Sequence, residues 1–373
     1  MVMPSGTSLT RLGYDTRSWR SALVMRAIDT LNPFKRELKF AWTGPCVISS
    51  IAGLGDLFIH LPLIAGLVNE CRRREVHVRV ALRPAHLEIG TRCGWDLLPF
   101  DNSLEDFFKD PRALRPMKSL SKVRRAREAP PQLWIDLTGN AVSALAIKLA
   151  GAKTLAARVT RGGRSLIDFP LPHAVQENEY ANRERVAEHL GARLDFSVAE
   201  NLRGDPLPNL AGTVVVCLTT AARWKNWPLR NFRALLARFP NTRFVLTGFR
   251  RELAQEETSE LEAMLRQSNV VDGFDRFSAD ELVRLIAHAR AVVTNDTSAA
   301  HIANLLGVGG AVLFGPVSPG TFASPVGLRV FHDATCPFHP CVQWKCCNEA
   351  NWCMEKISPK AVGDYLARLP GLA

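Results

Sequence analysis

Val47-Ile48-Ser49-Ser50-Ile51-Ala52-Gly53-Leu54-Gly55-Asp56 passes from an apolar run through two glycines into a helix-like run, Leu57–Val68. A strand that turns on small residues into a helix start exposes backbone N–H groups to a ligand at close range. Asp56 sets this turn apart. The helix dipole stabilises its carboxylate as an anion, which suits a proton acceptor or a ligand-orienting group. The same charge would repel a phosphate. Taken alone, the turn fits a plain helix cap equally well.

Outward from this turn the chain alternates strand-like and helix-like segments. Val76–Leu82, Leu133–Leu137 and Thr154–Val159 read as strands, and Ala141–Ala150 as a helix. Gly191–Leu210 is polar and irregular and reads as a linker. Alternation then restarts with strands at Thr213–Leu218, Arg243–Thr247, Asn269–Asp272, Ala291–Thr294 and Ala311–Phe314. Helices are expected at Leu229–Phe239, Leu253–Gln267, Ala279–Ala289, Ser298–Leu306 and Pro359–Leu369. This pattern predicts an α/β protein of two doubly wound, Rossmann-like domains with a ligand cleft between their strand ends. The expected divisions are an extension at 1–40, a first domain at 41–200, a second at 211–357 with a Cys-rich tail, and a helix at 358–373. In the extension, Ser18–Asn32 reads as a basic amphipathic helix, which suits either a membrane surface or the first domain.

The chain has 373 residues, 47% of them hydrophobic and 22% charged, as in a globular protein of two domains. No apolar stretch approaches the ~20 residues of a membrane span; the longest, Leu57–Val68, carries His60 and Pro62. With no signal-peptide pattern in the first 40 residues, the expected compartment is the cytoplasm. The net charge of +11 predicts an anionic partner. Cations gather in Pro111–Glu128, including Lys118, Lys122 and Arg125, and again at Lys153, Arg158, Arg161 and Arg164. Aromatics are not interleaved with them, which argues against nucleic acid.

Five of the nine cysteines fall in the tail: Cys336, Cys341, Cys346, Cys347 and Cys353. Their spacing is looser than the usual zinc pattern. A structural metal, with His332 and His339 as further ligands, stands beside a plain reduced or disulfide-linked cluster.

Two segments of the second half carry chemistry. In Val292-Val293-Thr294-Asn295-Asp296-Thr297-Ser298-Ala299-Ala300-His301, a buried strand runs into Asp296 and a helix opens at Thr297. The first-turn N–H groups of Thr297, Ser298 and Ala299 can hold a diphosphate, or Thr297 can simply cap the helix. His301 lies one turn further on. In Cys217–Pro228, the hydroxyls of Thr219 and Thr220 with Arg223 and Lys225 can satisfy phosphate oxygens.

The ordered set resembles glycosyltransferase family 9, the bacterial heptosyltransferases of the GT-B fold. The matching stretches are Ile51–Asp56 with His60-Leu61-Pro62, Trp134–Gly139, Lys225–Pro228, Asn295–His301, Leu313–Pro319 and the cysteine tail through Ile357. The resemblance implies metal-independent, inverting transfer of a sugar from a nucleotide donor, commonly ADP-heptose, to a lipopolysaccharide inner-core acceptor. It implies that Asp56 is the general base and that Lys225, with Thr219 and Thr220, holds the leaving diphosphate. Asp296 would bind donor sugar hydroxyls, Thr297, Ser298 and Ala299 would offer N–H groups, and His301 would support the loop. Arg223 falls on the donor side as well. Gly53, Gly55, His60, Lys118, Lys122 and Arg125 fall on the acceptor side. An anionic glycolipid acceptor implies a peripheral place on the inner face of the cytoplasmic membrane. The alternatives are a GT-B transferase of another nucleotide sugar, or a non-catalytic binding protein of the same fold.

Overall fold

The computed structural model describes residues 30, 39–100, 130–139, 141–158, 163–174, 177–341 and 352–372. Most of the N-terminal extension, Lys118, Lys122 and Arg125 with the rest of Pro111–Glu128, Arg161, Cys346 and Cys347 lie outside the described residues. The chain divides into two compact units. One runs to Gln176 and includes Ala181–Val198; the other consists of Glu177–Tyr180 and everything from Ala199 onward.

The first unit is built on β1 (Cys46–Ser50), β2 (Val78–Leu82), β3 (Leu97–Pro99), β4 (Leu133–Asp136), β5 (Thr154–Arg158) and β6 (Phe169–Leu171). They pair in the order β3-β2-β1-β4-β5-β6, all parallel. β1 and β4 are buried along their whole length, which explains their nearly unbroken apolar sequence. The helix after β1 spans Leu54–Arg73, longer at both ends than the apolar run suggested. Its first turn carries Asp56 at the positive end of the dipole, and its last turn ends in Arg72 and Arg73 at the negative end.

That helix corrects one expectation. It is long and apolar enough to cross a membrane, and 72% of its apolar window is buried inside the protein. The burial follows from packing against β1 and β2, so its apolar character belongs to the core. Gly66 shows how close this packing is. A Cβ there would stand 1.8 Å from the Arg193 carbonyl oxygen. Gly66→Ala is therefore expected to destabilise the first unit by roughly 1–3 kcal/mol or more, read as a lower urea midpoint. An unchanged midpoint would contradict the packing described.

The second unit repeats the plan. β7 (Val214–Cys217), β8 (Phe244–Thr247), β9 (Val270–Asp272), β10 (Ala291–Asn295), β11 (Gly310–Phe314) and β12 (Arg329–His332) form a parallel sheet in the order β12-β11-β10-β7-β8-β9. Counted from its own first strand, each unit thus has the same doubly wound order. Trp227, Phe232, Phe244 and Met264 fill the core, joined by Met354, Val362 and Leu366 of the C-terminal segment. The C-terminal helix, Pro359–Leu366, is thereby an integral layer of this unit, capped by Ser358.

The stretch read as one helix, Leu253–Gln267, is less regular. Two short 3₁₀ turns precede a helix at Thr258–Leu265. Glu257 turns its carboxylate back to accept the Ala254 N–H at 2.7 Å, which fixes the break. The segment read as an irregular linker contains a short helix, Val198–Arg203.

Candidate functional site

A doubly wound sheet binds ligands beyond the carboxyl ends of its strands, where the strand order reverses. In the first unit that point lies between β1 and β4, and in the second between β7 and β10. The sequence-predicted segments follow these four strands.

In the first unit, β1 leads through Ile51 and Ala52 to Gly53, the N-cap of the long helix. Asp56 is the third helical residue and not the cap itself. Its Oδ2 accepts the Gly53 N–H at 3.3 Å, and the side chain is exposed. Among the described residues this is the only hydrogen bond it holds, so the carboxylate is fixed in direction yet open to a ligand. The turn is anchored from both flanks. Ile51 donates its N–H to Thr138 Oγ1 at 3.0 Å, and Arg83 Nε donates to the Ile51 carbonyl at 2.6 Å.

Thr138 is itself held by the end of β4. Asp136 is fully buried and accepts from Ser49 Oγ (2.7 Å), Ser143 Oγ (2.9 Å) and the Thr138 N–H (3.2 Å). Burial raises its carboxyl above the ordinary carboxylate range, and these donors oppose the rise. Ser49 Oγ also accepts from Trp134 Nε1 at 2.9 Å. The chain of hydrogen bonds from Trp134 to Ile51 ties the Asp56 turn to the neighbouring strand.

His60 points inward. It is buried, and its Nδ1 lies 3.1 Å from Ser50 Oγ. Burial lowers its pKa well below the ordinary histidine value, with added repulsion from Arg158, Arg183 and His173. Both arginines are buried, Arg158 at the end of β5 and Arg183 with Nη1 donating to the Ile59 carbonyl at 2.9 Å. The burial of these two arginines near His60 was not legible in the sequence, where Arg158 belonged to a general basic stretch. Lys153 is exposed.

In the second unit, Lys225 and Asp296 come together. Lys225 Nζ lies 2.5 Å from Asp296 Oδ2, with side chains 13% and 6% exposed. Asn295 builds this contact. Its Oδ1 accepts the Trp227 N–H at 2.9 Å and its Nδ2 donates to the Leu218 carbonyl at 2.9 Å. One buried amide thus fastens the loop after β7 to the end of β10. Trp227 is further pinned by Nε1 donating to the Ile357 carbonyl at 3.1 Å.

The threonines are committed within the loop. Thr219 Oγ1 donates to Glu252 Oε2 (2.8 Å) and accepts the Phe249 N–H (3.0 Å). Thr220 Oγ1 donates to the Ala222 carbonyl and accepts its N–H, at 2.6 and 3.1 Å, closing a local turn. These hydroxyls shape the loop that presents Lys225. Arg223 stands apart at the surface, 3.5 Å from Glu257.

Thr297 caps the Ser298–Leu306 helix, and its Oγ1 accepts the Ala299 N–H at 3.3 Å. Among the described residues the N–H groups of Thr297 and Ser298 meet no protein acceptor, which leaves two donors at a positive helix end. His301 is buried, with Nδ1 2.8 Å from the Tyr180 hydroxyl. Tyr180 and Asn295 are among the residues whose roles the sequence did not reveal.

The cysteine tail is only partly described. Cys336 and Cys353 are buried and Cys341 half-buried. The His332 and His339 rings meet with Nε2 atoms 3.0 Å apart. Among the described residues no group of three or more His, Cys, Asp or Glu is placed to hold a metal.

Two parallel sheets of identical order, with an exposed carboxylate at one switch point and an ion-paired lysine at the other, define a GT-B type protein. The chain belongs to glycosyltransferase family 9 (heptosyltransferase), whose family model matches residues 124–349. It is similar to lipopolysaccharide heptosyltransferase 1 of Salmonella typhimurium, 32% identical over 156 residues. That stretch spans 40% of this chain and 46% of the relative, so less than half of the curated relative's length is matched.

Among solved structures it is similar to E. coli heptosyltransferase WaaC with ADP-2-deoxy-2-fluoro heptose. The TM-score is 0.65 at 17% identity, covering 86% of this chain and 98% of that one. E. coli ADP-heptose lps heptosyltransferase II gives 0.63 at 17% identity, covering 87% and 98%. At these identities the likeness establishes the fold.

Proposed function

We propose that this protein is an inverting, metal-independent glycosyltransferase that moves heptose from ADP-heptose to a hydroxyl of a lipopolysaccharide inner-core acceptor. The observation that carries the proposal is the division of charge between the two switch points. Asp56 offers an exposed, directed carboxylate, and Lys225 offers a cation beside Asp296. Asp56 takes the proton from the acceptor hydroxyl as that oxygen attacks the anomeric carbon. The bond to the diphosphate oxygen breaks, and the leaving nucleotide diphosphate gains one negative charge. Lys225 and the free N–H groups of Thr297 and Ser298 stabilise that charge, the task a metal ion performs in other transferases.

Family membership supports the reaction class, and the relatives named for heptosyl transfer and ADP-heptose support the donor. The net charge of +11 supports an anionic acceptor. On this reading the protein works at the cytoplasmic face of the inner membrane, held there by its acceptor and its basic surface.

The test is mass spectrometry of glycolipids from a strain lacking the protein, joined to a donor panel with the purified chain. Loss of an inner-core heptose and ADP release from ADP-heptose are expected. An unchanged glycolipid profile would overturn the proposal.

A further inference from the structure

Four residues of the chain change sides. Glu177–Tyr180 belong to the second unit, although the sequence on both flanks, up to Gln176 and from Ala181, belongs to the first. They are fastened by side chains. Asn178 Nδ2 donates to the Gly320 carbonyl (3.1 Å) and the Ala323 carbonyl (2.8 Å), while its Oδ1 accepts the Tyr180 N–H (2.9 Å). Tyr180 then reaches His301, with both side chains buried, 2.8 Å from hydroxyl to Nδ1 and 6.0 Å between ring centroids.

The chemistry of this pair bears on the donor site. A neutral imidazole carries one proton, and the partner of one ring nitrogen decides where that proton resides. A phenol hydroxyl that donates to Nδ1 places the ring proton on Nε2. His301 then presents an N–H, which a phosphate oxygen can accept. The opposite tautomer would present a lone pair, which repels the same oxygen. His301 is the fourth residue of the Ser298–Leu306 helix, one turn beyond the Thr297 cap.

We infer that Tyr180 is a positioning residue of the donor site, whose hydroxyl fixes His301 as the Nε2–H tautomer and so makes it a hydrogen-bond donor to the diphosphate. This rests on reading Thr297–His301 as the phosphate side of the donor site. The role of Tyr180 is separable from packing, because Tyr180→Phe keeps the ring and removes only the hydroxyl.

Two measurements test it. Nitrogen-15 NMR of the wild-type chain reads the His301 ring directly. The Nε2–H tautomer is expected, and an Nδ1–H ring would overturn the inference without any variant. Calorimetry with ADP as the probe then compares wild type, Tyr180→Phe and His301→Ala. Tyr180→Phe is expected to bind ADP roughly three- to tenfold more weakly, with a changed His301 nitrogen pattern, and His301→Ala at least as weakly. Weakening by His301→Ala with no change for Tyr180→Phe would overturn the role of Tyr180 alone. If neither substitution matters, the phosphate reading of the helix start fails, and the inference fails with it.

Discussion

Asp56→Asn is expected to lower the rate of sugar transfer by about two to four powers of ten while leaving folding and donor binding unchanged. The asparagine side chain is nearly isosteric, and its carbonyl oxygen can accept the Gly53 N–H that Asp56 accepts at 3.3 Å. The helix start is therefore conserved in the variant. What disappears is the ability to take a proton, because an amide is not a base at neutral pH. The exposure of the side chain means that no buried group is left unpaired, so a thermal shift of more than a degree or two is not expected. The measurement is ADP release with and without acceptor, alongside ADP affinity. Transfer within a few-fold of wild type would remove Asp56 from the role of base. A loss of donor affinity equal to the loss of rate would also count against it.

Lys225→Ala is expected to act on two quantities at once. Lys225 is 2.5 Å from Asp296, and Asp296 is only 6% exposed. Removing one partner of a buried pair leaves an uncompensated charge, which typically costs about 3–5 kcal/mol of stability. On the proposed function, the same substitution also removes a charge-assisted contact to the diphosphate. ADP binding should weaken by roughly 10- to 150-fold, and the chemical step should slow by a further two to three powers of ten as the leaving group loses its counter-charge.

The double variant Lys225→Ala with Asp296→Asn separates these effects. It should recover most of the lost stability, because no carboxylate then stands unpaired, and none of the lost activity. Chemical unfolding and single-turnover transfer read the two. If the double variant is no more stable than Lys225→Ala, the pair is not the source of the instability.

The legible and illegible parts of this chain differ for physical reasons. Central strands buried on both faces have nearly continuous apolar sequences, so Val47–Ile51 and Thr213–Leu218 anticipated β1 and β7 to within a residue. The Ser298–Leu306 helix was placed at its observed bounds because Thr297 caps it and Gly307, in the left-handed conformation, ends it. Three of the four edge strands, β3, β6 and β12, escaped notice. β3 and β6 are three residues long and each contains a proline, so no alternation develops.

In the candidate site, the segments after β1, β7 and β10 were visible because each joins an apolar run to a turn. Their internal hydrogen bonds were not. Thr219 and Thr220 read as phosphate ligands, and the loop hydrogen bonds that their hydroxyls also make have no record in the sequence. Tyr180 and His301 are 121 positions apart, and no periodicity links them.

The exchanged segment bears on how such a protein can be taken apart or recombined. A fragment beginning at Ala199 would look complete by its sheet, but it would leave behind Asn178 and Tyr180. The Gly320 and Ala323 carbonyls and the His301 ring would then face water in place of their partners. Chimeras that trade halves between relatives meet the same condition. A junction placed in the apparent linker near Val198 carries one parent's Tyr180 into the other parent's histidine, so keeping this pair matched requires exchanging four residues upstream as a separate cassette. The second unit is drawn from two places in the chain, and only one of them starts at the apparent linker.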